Sequence, residues 1–289
     1  MNTYYRIIEK TKIWFSISAI IIVIGMFSMA TKGLELGIDF KGGTITQIAI
    51  KQDFDKTTVD DIVKKYVKDF TSNKVNNTSI EIKSVNISAA NTASLVNDVK
   101  AKYKDASLTS QEDIGASIGS ETRNKAVQAV IVACVAILIY ITVRFELKFA
   151  LAAIVSLLHD VLVMLAFYSV FQIPVDSSFI AAALTVIGYS VHDTIVVFDR
   201  IRENQKYIRT AEPEILADAS VTQTLARSIN TVLSVLITLI AVYVYVPSIR
   251  NFSLPLIVGV VSGCYSSIFI ASPFWVIFKK HGKKIKIKK

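Results

Sequence analysis

Phe179–Phe198 reads FIAAALTVIGYSVHDTIVVF, and its one formally charged side chain is Asp193. A run of about 20 apolar residues is what a helix needs to cross a bilayer. A carboxylate inside such a run costs about 2.5–3.5 kcal/mol on insertion scales. Residues of this kind face a protein interior or a watery path, and they mark ion routes. Asp160 interrupts the apolar run before it, about 16 Å into its span at the helical rise. Arg227 stands at the mouth of the run after it. The pattern points to charge movement within a membrane.

Working outward, six apolar windows are predicted to span: 13–30, 126–143, 149–171, 179–198, 229–247 and 254–278. With 52% of 289 residues hydrophobic and a mean hydropathy of +0.49, an ordinary soluble domain is excluded. Cys134 and Cys264 both fall inside predicted spans. They read as small apolar packing residues rather than a disulfide framework.

The net charge of +9 is unevenly spread. Residues 32–123 hold 13 basic and 13 acidic side chains, so the whole excess lies in the remainder. Arg6, Lys10 and Lys12 precede the first span, and Arg144 and Lys148 fill a short loop. Arg200, Arg202, Lys206 and Arg209 follow the fourth span, and seven lysines follow Phe278. The short loops on the opposite side hold only Arg250. This positive-inside bias predicts both termini on the cytoplasmic side. A basic tail directly after a span reads as a topology signal and a contact for anionic lipid, not as a nucleic-acid site. The N-terminal apolar run exceeds the 7–15 residues of a signal-peptide core, so an uncleaved anchor is expected.

The chain therefore divides into an N-terminus with the first span (1–31), an extracytoplasmic domain (32–123), and five spans with a basic cytoplasmic tail (124–289). Within 32–123, Thr44–Ile50 reads as a strand. Val59, Ile62, Val63, Tyr66, Val67 and Phe70 follow helical spacing, with Thr57 or Thr58 as N-cap. Ile80 and Ile82 alternate as in a strand, Leu95–Tyr103 gives a weaker helix, and Leu108–Ile114 a last strand. The order β-α-β-α-β predicts a small α+β sandwich of ferredoxin-like type. The expected fold class is a six-span α-helical multi-pass membrane protein carrying that one extracytoplasmic domain. The domain contains no histidine, no cysteine and no Ser-His-Asp set, so contact with another polypeptide is its expected work.

Gly37-Ile38-Asp39-Phe40-Lys41-Gly42-Gly43-Thr44 follows the first span. It lacks the Walker spacing and no helix start follows it in the sequence, so it reads as a tight turn rather than a phosphate cradle. ATP hydrolysis is not expected. Two His-Asp pairs, 159–160 and 192–193, resemble a metal pattern. Adjacent helical residues diverge by about 100°, however, which disfavours chelation, and no metal is expected. Gly259, Gly263 and Ser266 or Ser267 read as close-packing positions. The stretch Ile215–Leu225 reads as an amphipathic segment along the cytoplasmic interface.

Asp193 shares its helix face with Tyr189, Ser190 and Val197. Arg227, Thr231, Ser234 and Thr238 stand at i, i+4, i+7 and i+11, with Asn230 beside them. That polar stripe is expected to face the bundle interior. Asp193 and Arg227 could then exchange partners as a proton comes and goes, or form a permanent ion pair between the fourth and fifth spans. Asp160 reads either as a polar packing group or as a relay partner.

These residues resemble the SecF family of bacterial protein-export membrane subunits over nearly the whole chain. GIDFKGGT is similar to the family's GIDFxGG element, here Gly37, Ile38, Asp39, Phe40, Gly42 and Gly43. Val175-Asp176 with Phe179–Ala182 resembles its VDxxFIAA stretch. IGYSVHDTIVVFDRIREN (187–204) resembles its most distinctive signature, and 225–231 and 265–271 match two later elements. The resemblance implies membership of the resistance-nodulation-division superfamily and a non-enzymatic role. The expected role is an accessory subunit of the Sec translocase that uses the proton motive force to promote late export of preproteins across the cytoplasmic membrane. It assigns the proton-linked aspartate to Asp193 and the functional arginine to Arg227. It implies SecD, the SecYEG channel, an unfolded preprotein and membrane lipid as partners, with YajC and YidC as further candidates. It implies no cofactor beyond an ion gradient, of protons or sodium. The competing expectation is a half-size exporter of a lipid or small molecule. Ala116 stands where the family pattern has proline, Ala166 where glycine is common, and Val232 and Val235 where hydroxyls follow the arginine.

Overall fold

A computed structural model describes residues 4–85, 87–207 and 212–286. Arg209, Lys288 and Lys289 of the basic pattern lie outside them. Among the described residues, six helical segments are long and apolar enough to cross a membrane: Ile8–Lys32, Ala116–Arg144, Leu147–Phe171, Ser177–Tyr207, Pro213–Tyr245 and Pro247–His281. The helices are α1 (Thr11–Lys32), α2 (Ile38–Lys41), α3 (Lys56–Val63), α4 (Ala89–Lys102), α5 (Ala116–Arg144), α6 (Leu147–Phe171), α7 (Ser177–Tyr207), α8 (Pro213–Tyr245), α9 (Arg250–Ser266) and α10 (Ser272–Lys286). A π-helical turn, Ser267–Ala271, joins α9 to α10 within the last span.

Between α1 and α5 lie β1 (Gly43–Ala49), β2 (Phe70–Val75), β3 (Ser79–Ser84) and β4 (Ser107–Ile114). The sheet order is β2-β3-β1-β4, antiparallel throughout. With α3 and α4 this is the βαββαβ arrangement of the ferredoxin-like fold. Ile48, Ile80, Ile82, Val59, Val63, Leu95 and Val99 form its sealed core. The alternation of Ile80 and Ile82 places both toward α3 and α4, and their neighbours outward.

In the sheet domain and at the start of α8 the structure departs from the sequence reading. The strand β2 was absent from that reading, and Phe70 opens it rather than closing α3. Asn76 and Asn77, both at positive φ, turn β2 into β3 through the three-residue loop 76–78, asparagine being tolerant of that region. The α3 N-cap is Asp55, not Thr57 or Thr58. Its carboxylate accepts the Thr57 N–H at 3.3 Å, and both threonine hydroxyls donate to it as well. Finally, Ile215–Leu225 is not a separate amphipathic segment. It forms the first turns of α8, started by Pro213 at the first helical position, where proline loses nothing. Leu216, Ala219 and Val221 are buried against the protein. There Asp218 Oδ1 accepts the N–H groups of Ile7 and Ile8, each at 2.9 Å, tying the start of the first span to α8.

α7 and α9 form the centre of the bundle with α6. A Cβ at Gly259 would lie 2.3 Å from Val186 Cγ2, and one at Gly263 would lie 3.1 Å from Ser190 Cβ. These glycines therefore set how closely α9 approaches α7. At the end away from the sheet, Phe149 packs against Trp275 and Phe198 with ring centroids at 5.2 and 4.9 Å.

Candidate functional site: two carboxylates inside the helix bundle

The Gly37–Thr44 motif joins the sheet to the bundle. It contains a one-turn helix, α2, which the sequence reading did not anticipate. Gly42 and Gly43 then take φ of +83° and +152° to swing into β1, angles that suit glycine. Gly37 N–H donates to Val175 O at 2.8 Å, and Val175 N–H donates to Glu35 O at 2.8 Å. Asp39 Oδ2 accepts the Ser177 N–H at the start of α7, at 2.9 Å, and its other oxygen lies 3.9 Å from Lys83 Nζ of β3. Phe40 packs with Tyr168, Val175 and Phe179. Asp176 accepts the Phe179 N–H at 3.0 Å and Asn251 Nδ2–H at 3.1 Å. Burial raises the Asp176 carboxyl above the ordinary range, against the opposing pull of the Phe179 N–H, Lys83 and Asn251. The motif and the 175–182 stretch, remote in sequence, thus form one junction. Asp39→Ala is expected to remove the α7 cap and the Lys83 partner together. A cap of this kind is worth about 1 kcal/mol. The measurement is thermal unfolding of the purified protein in detergent, with faster limited proteolysis near residue 37 as the accompanying sign.

Asp160 lies fully enclosed on α6. Its Oδ1 accepts from Ser262 Oγ at 2.6 Å and faces His159 Nδ1 at 3.2 Å. Its Oδ2 accepts from Ser190 Oγ at 2.6 Å and Ser266 Oγ at 2.8 Å. Ser156 Oγ donates to Ser266 Oγ at 2.9 Å, and His159 Nε2 meets Ser18 Oγ of α1 at 3.0 Å. With its proton on Nδ1, neutral His159 donates to Asp160 and accepts from Ser18. One carboxylate therefore gathers donors from α6, α7 and α9 and reaches α1 through the histidine. Although adjacent helical residues diverge, His159 and Asp160 do make contact. His192 instead lies exposed and makes no hydrogen bond to Asp193.

Asp193 is 7% exposed. Its Oδ1 accepts from Ser228 Oγ of α8 at 2.7 Å, while Oδ2 is sealed and has no partner. Beside it, Thr194 Oγ1 pairs at 2.8 Å with Ser267 Oγ of the π-turn, a local widening of the helix that often marks functional positions.

The expected direct pairing of Asp193 with Arg227 is not formed. No Arg227 nitrogen lies within the 4.0 Å of an ion pair with a carboxylate among the described residues. Ser228, one residue on and about 100° round the helix, is the group that faces α7, and Arg227 is exposed. The stripe of Asn230, Thr231, Ser234 and Thr238 is likewise exposed rather than turned into this chain's own bundle. Its hydroxyls donate to carbonyls four residues back: Thr231 to Arg227 O, Ser234 to Asn230 O and Thr238 to Ser234 O. The inward face of α8 is Val221, Thr224, Ser228 and Val232. Sequence reasoning missed Ser228, Ser262 and Ser18, and weighed His159 only as part of a metal pattern rather than as a partner of Asp160 and Ser18. The signal for part of the set was present in the i, i+4 pairs Ser156–Asp160 and Ser262–Ser266, which each place two oxygens on one face.

The Asp193 centre offers hard oxygen donors, carboxylate and hydroxyl, and the Asp160 centre adds the His159 imidazole to such a set. Carboxylate and hydroxyl oxygens suit a proton or an alkali cation.

Residues 94–281 match the family described as "Protein export membrane protein SecD/SecF, C-terminal", and residues 27–53 match the "SecD/SecF GG Motif". The chain is 36% identical over 292 residues to the protein translocase subunit SecF of Sebaldella termitidis, covering 98% of this chain and 95% of that protein. It is 38% identical over 290 residues to SecF of Acidaminococcus fermentans, covering 97% and 99% respectively. These relatives are named as translocase subunits, not as enzymes. The crystal structure of SecDF from Thermus thermophilus superposes with a TM-score of 0.81 at 30% identity over 96% of this chain, which spans 39% of that longer chain. A second SecDF structure, in a super-membrane-facing form, gives a TM-score of 0.76 at 28% identity and is spanned to 40%.

Proposed function

The chain belongs to the SecD/SecF family of protein-export membrane proteins, a multi-pass family of the bacterial inner membrane with a role in protein translocation, and from that membership we propose that Asp193 is its ion-coupling carboxylate. In this reading the proton motive force, acting through Asp193, powers a late stage of preprotein export. The observation that carries it is the asymmetry of Asp193: one oxygen is held by Ser228 and the other is enclosed without a partner. A group that only held helices together would have both oxygens satisfied, as Asp160 does. Protonation neutralises a charge inside the bundle. It also changes what Ser228 holds, and Ser228 is the neighbour of Arg227. The exposed face bearing Arg227, Asn230, Thr231, Ser234 and Thr238 is where SecD, the other half of a SecDF assembly, would pack. A polar stripe of this kind is poorly suited to lipid.

The charge bias supports cytoplasmic termini and an extracytoplasmic sheet domain. On that side the sheet domain would meet the emerging unfolded chain. SecYEG is the neighbouring channel, YajC and YidC are candidate further neighbours, and anionic lipid contacts the basic rim. No cofactor is required beyond the gradient, and a sodium-free assay separates proton from sodium coupling.

The test is a pulse-chase of secretory precursors in cells whose only copy carries Asp193→Asn, with complex abundance followed in the same samples. Asparagine keeps the oxygen that Ser228 bonds, so the complex should accumulate normally while precursor maturation slows. The coupling-dependent rate is expected to fall about 100-fold, the lower end for loss of a proton-transfer group. Normal maturation with normal abundance would sink the proposal.

A further inference from the structure

The first and last spans meet at the end away from the sheet domain. There the Tyr265 hydroxyl of α9 donates to Trp14 O of α1 at 2.8 Å, and the Trp14 ring packs on Phe269 with centroids 4.2 Å apart. Beyond this joint a cleft of about 520 Å³ opens between α1 and α9. Its floor is one stripe of α6, His159, Val163 and Phe167, at i, i+4 and i+8. Ile17 and Ile21 form one wall, and Leu254, Val258 and Val261 the other. Ile17, Ile21 and Val261 are exposed, so the cleft opens sideways. That opening faces hydrocarbon, because both walls belong to membrane-spanning segments.

Almost nothing polar faces into the cleft. His159 Nε2 already meets Ser18 Oγ, Ser262 Oγ already donates to Asp160, and the Tyr265 hydroxyl is held by Trp14. A water would find no free partner there, and apolar cavities stay dry. Left empty, the walls would forfeit their dispersion contacts. The α9 wall runs about 16 Å from Leu254 to Tyr265 at the helical rise. Spread over that length, 520 Å³ leaves a cross-section of about 30 Å², room for one hydrocarbon chain and not for a helix about 10–12 Å across. Lys32 supplies the complementary charge. It is exposed and stands eleven residues after Ile21, which is the same face of α1 about 16 Å nearer the sheet domain. Lysine at that level meets lipid phosphate.

We propose that this cleft binds one acyl chain of a phospholipid from the leaflet on the sheet-domain side, with the headgroup phosphate toward Lys32. The bound chain covers His159 where the helices leave it open. It keeps water from competing for the His159–Ser18 hydrogen bond, and so from reaching the ring around Asp160. The site lies apart from Asp193 and does not rest on its coupling role.

The experiment places the complex with SecD in nanodiscs of phosphatidylethanolamine and phosphatidylglycerol. A trace of the phosphatidylglycerol carries a diazirine near the end of one chain. After illumination, labelled residues are located by mass spectrometry. Val23 and Phe27, on the other face of α1, are more exposed than Ile17, Ile21 or Val261 and serve as the reference for ordinary boundary lipid. The three cleft residues are expected to carry roughly fivefold more label than the reference pair, the ratio given by a preference of about 1 kcal/mol. Val163→Phe fills the cleft from its floor and should abolish the excess, and Val258→Phe, from the wall, serves if that variant fails to accumulate. No excess in the wild type, or an excess that filling the cleft leaves unchanged, means boundary lipid only and overturns the site. Labelling of the cleft in the chain alone that disappears in the complex would assign the cleft to a protein partner and overturn it equally.

Discussion

Asp160→Ala is expected to reduce the folded protein in the membrane several-fold, while Asp160→Asn leaves it near the normal level. The alanine removes the one acceptor shared by Ser190, Ser262, Ser266 and His159. An orphaned buried donor costs about 1–3 kcal/mol in a protein interior, although interhelical bonds within a membrane average nearer 0.6 kcal/mol. Ser266 has a second acceptor in Gly263 O at 3.2 Å, which offsets part of its loss. A net cost of about 2–4 kcal/mol follows from these magnitudes, a large share of a typical stability of 5–15 kcal/mol. The asparagine keeps one oxygen for two donors, and rotated hydroxyls can accept from its amide. The measurement is steady-state abundance in membranes together with thermal unfolding in detergent. If Asp160→Ala were instead stable, normally abundant and unable to support export, Asp160 would carry the ion, and its four donors would be a binding site rather than a clamp.

The second large effect is expected at Gly25. α1 meets the bundle along a narrow face of Ser18, Gly25 and Ser28, its only buried positions. A Cβ at residue 25 would fall 2.0 Å from Ala166 Cβ and 2.5 Å from its Cα. Backbone atoms cannot rotate away, so Gly25→Leu must push α1 off α6. That displacement would break the Ser28–Ser169 contact, 3.0 Å between the hydroxyls, and the Ser18–His159 contact. Overpacking alone costs about 1–3 kcal/mol, and the lost hydrogen bonds add to it. The variant is expected to melt earlier in detergent and to expose α1 to protease, with Gly25→Ala intermediate because its Cβ meets the same atoms. An unaltered melting temperature for Gly25→Leu would show that α1 does not pack on α6 in this way. The contact also accounts for the fit of alanine at 166, since Gly25 opposite leaves the room that one methyl needs.

The spans were legible because hydrocarbon thickness imposes a length and composition on each of them. The sheet was largely legible from the alternation of Ile80 and Ile82 and the β-branched run at 44–50. The strand β2 was not, because FTSNKV alternates weakly and only the Asn76–Asn77 turn betrays it. Asp193 and Asp160 stood out because charge is rare at such depth. Their partners did not, because serine is ordinary in any span. The ring around Asp160 exists only when α6, α7 and α9 converge. The α8 stripe shows the complementary failure. Its period was readable, but period alone cannot tell an inward face from one left for a partner. That distinction needed Ser228 of α8 seen bonded to Asp193 of α7 and Arg227 seen on the outside. The basic rim and the glycine motif were each readable as local pattern, whereas the docking of Gly37 on Val175 depends on residues 138 positions apart.

The most direct test of Asp193 as the coupling carboxylate is infrared difference spectroscopy on the complex with SecD as pH is stepped, following the carboxyl C=O stretch. The account predicts a protonated-carboxyl band that appears as pH falls, is absent in Asp193→Asn, and is retained in Asp160→Asn. A titrating band that survives unchanged in Asp193→Asn would contradict it.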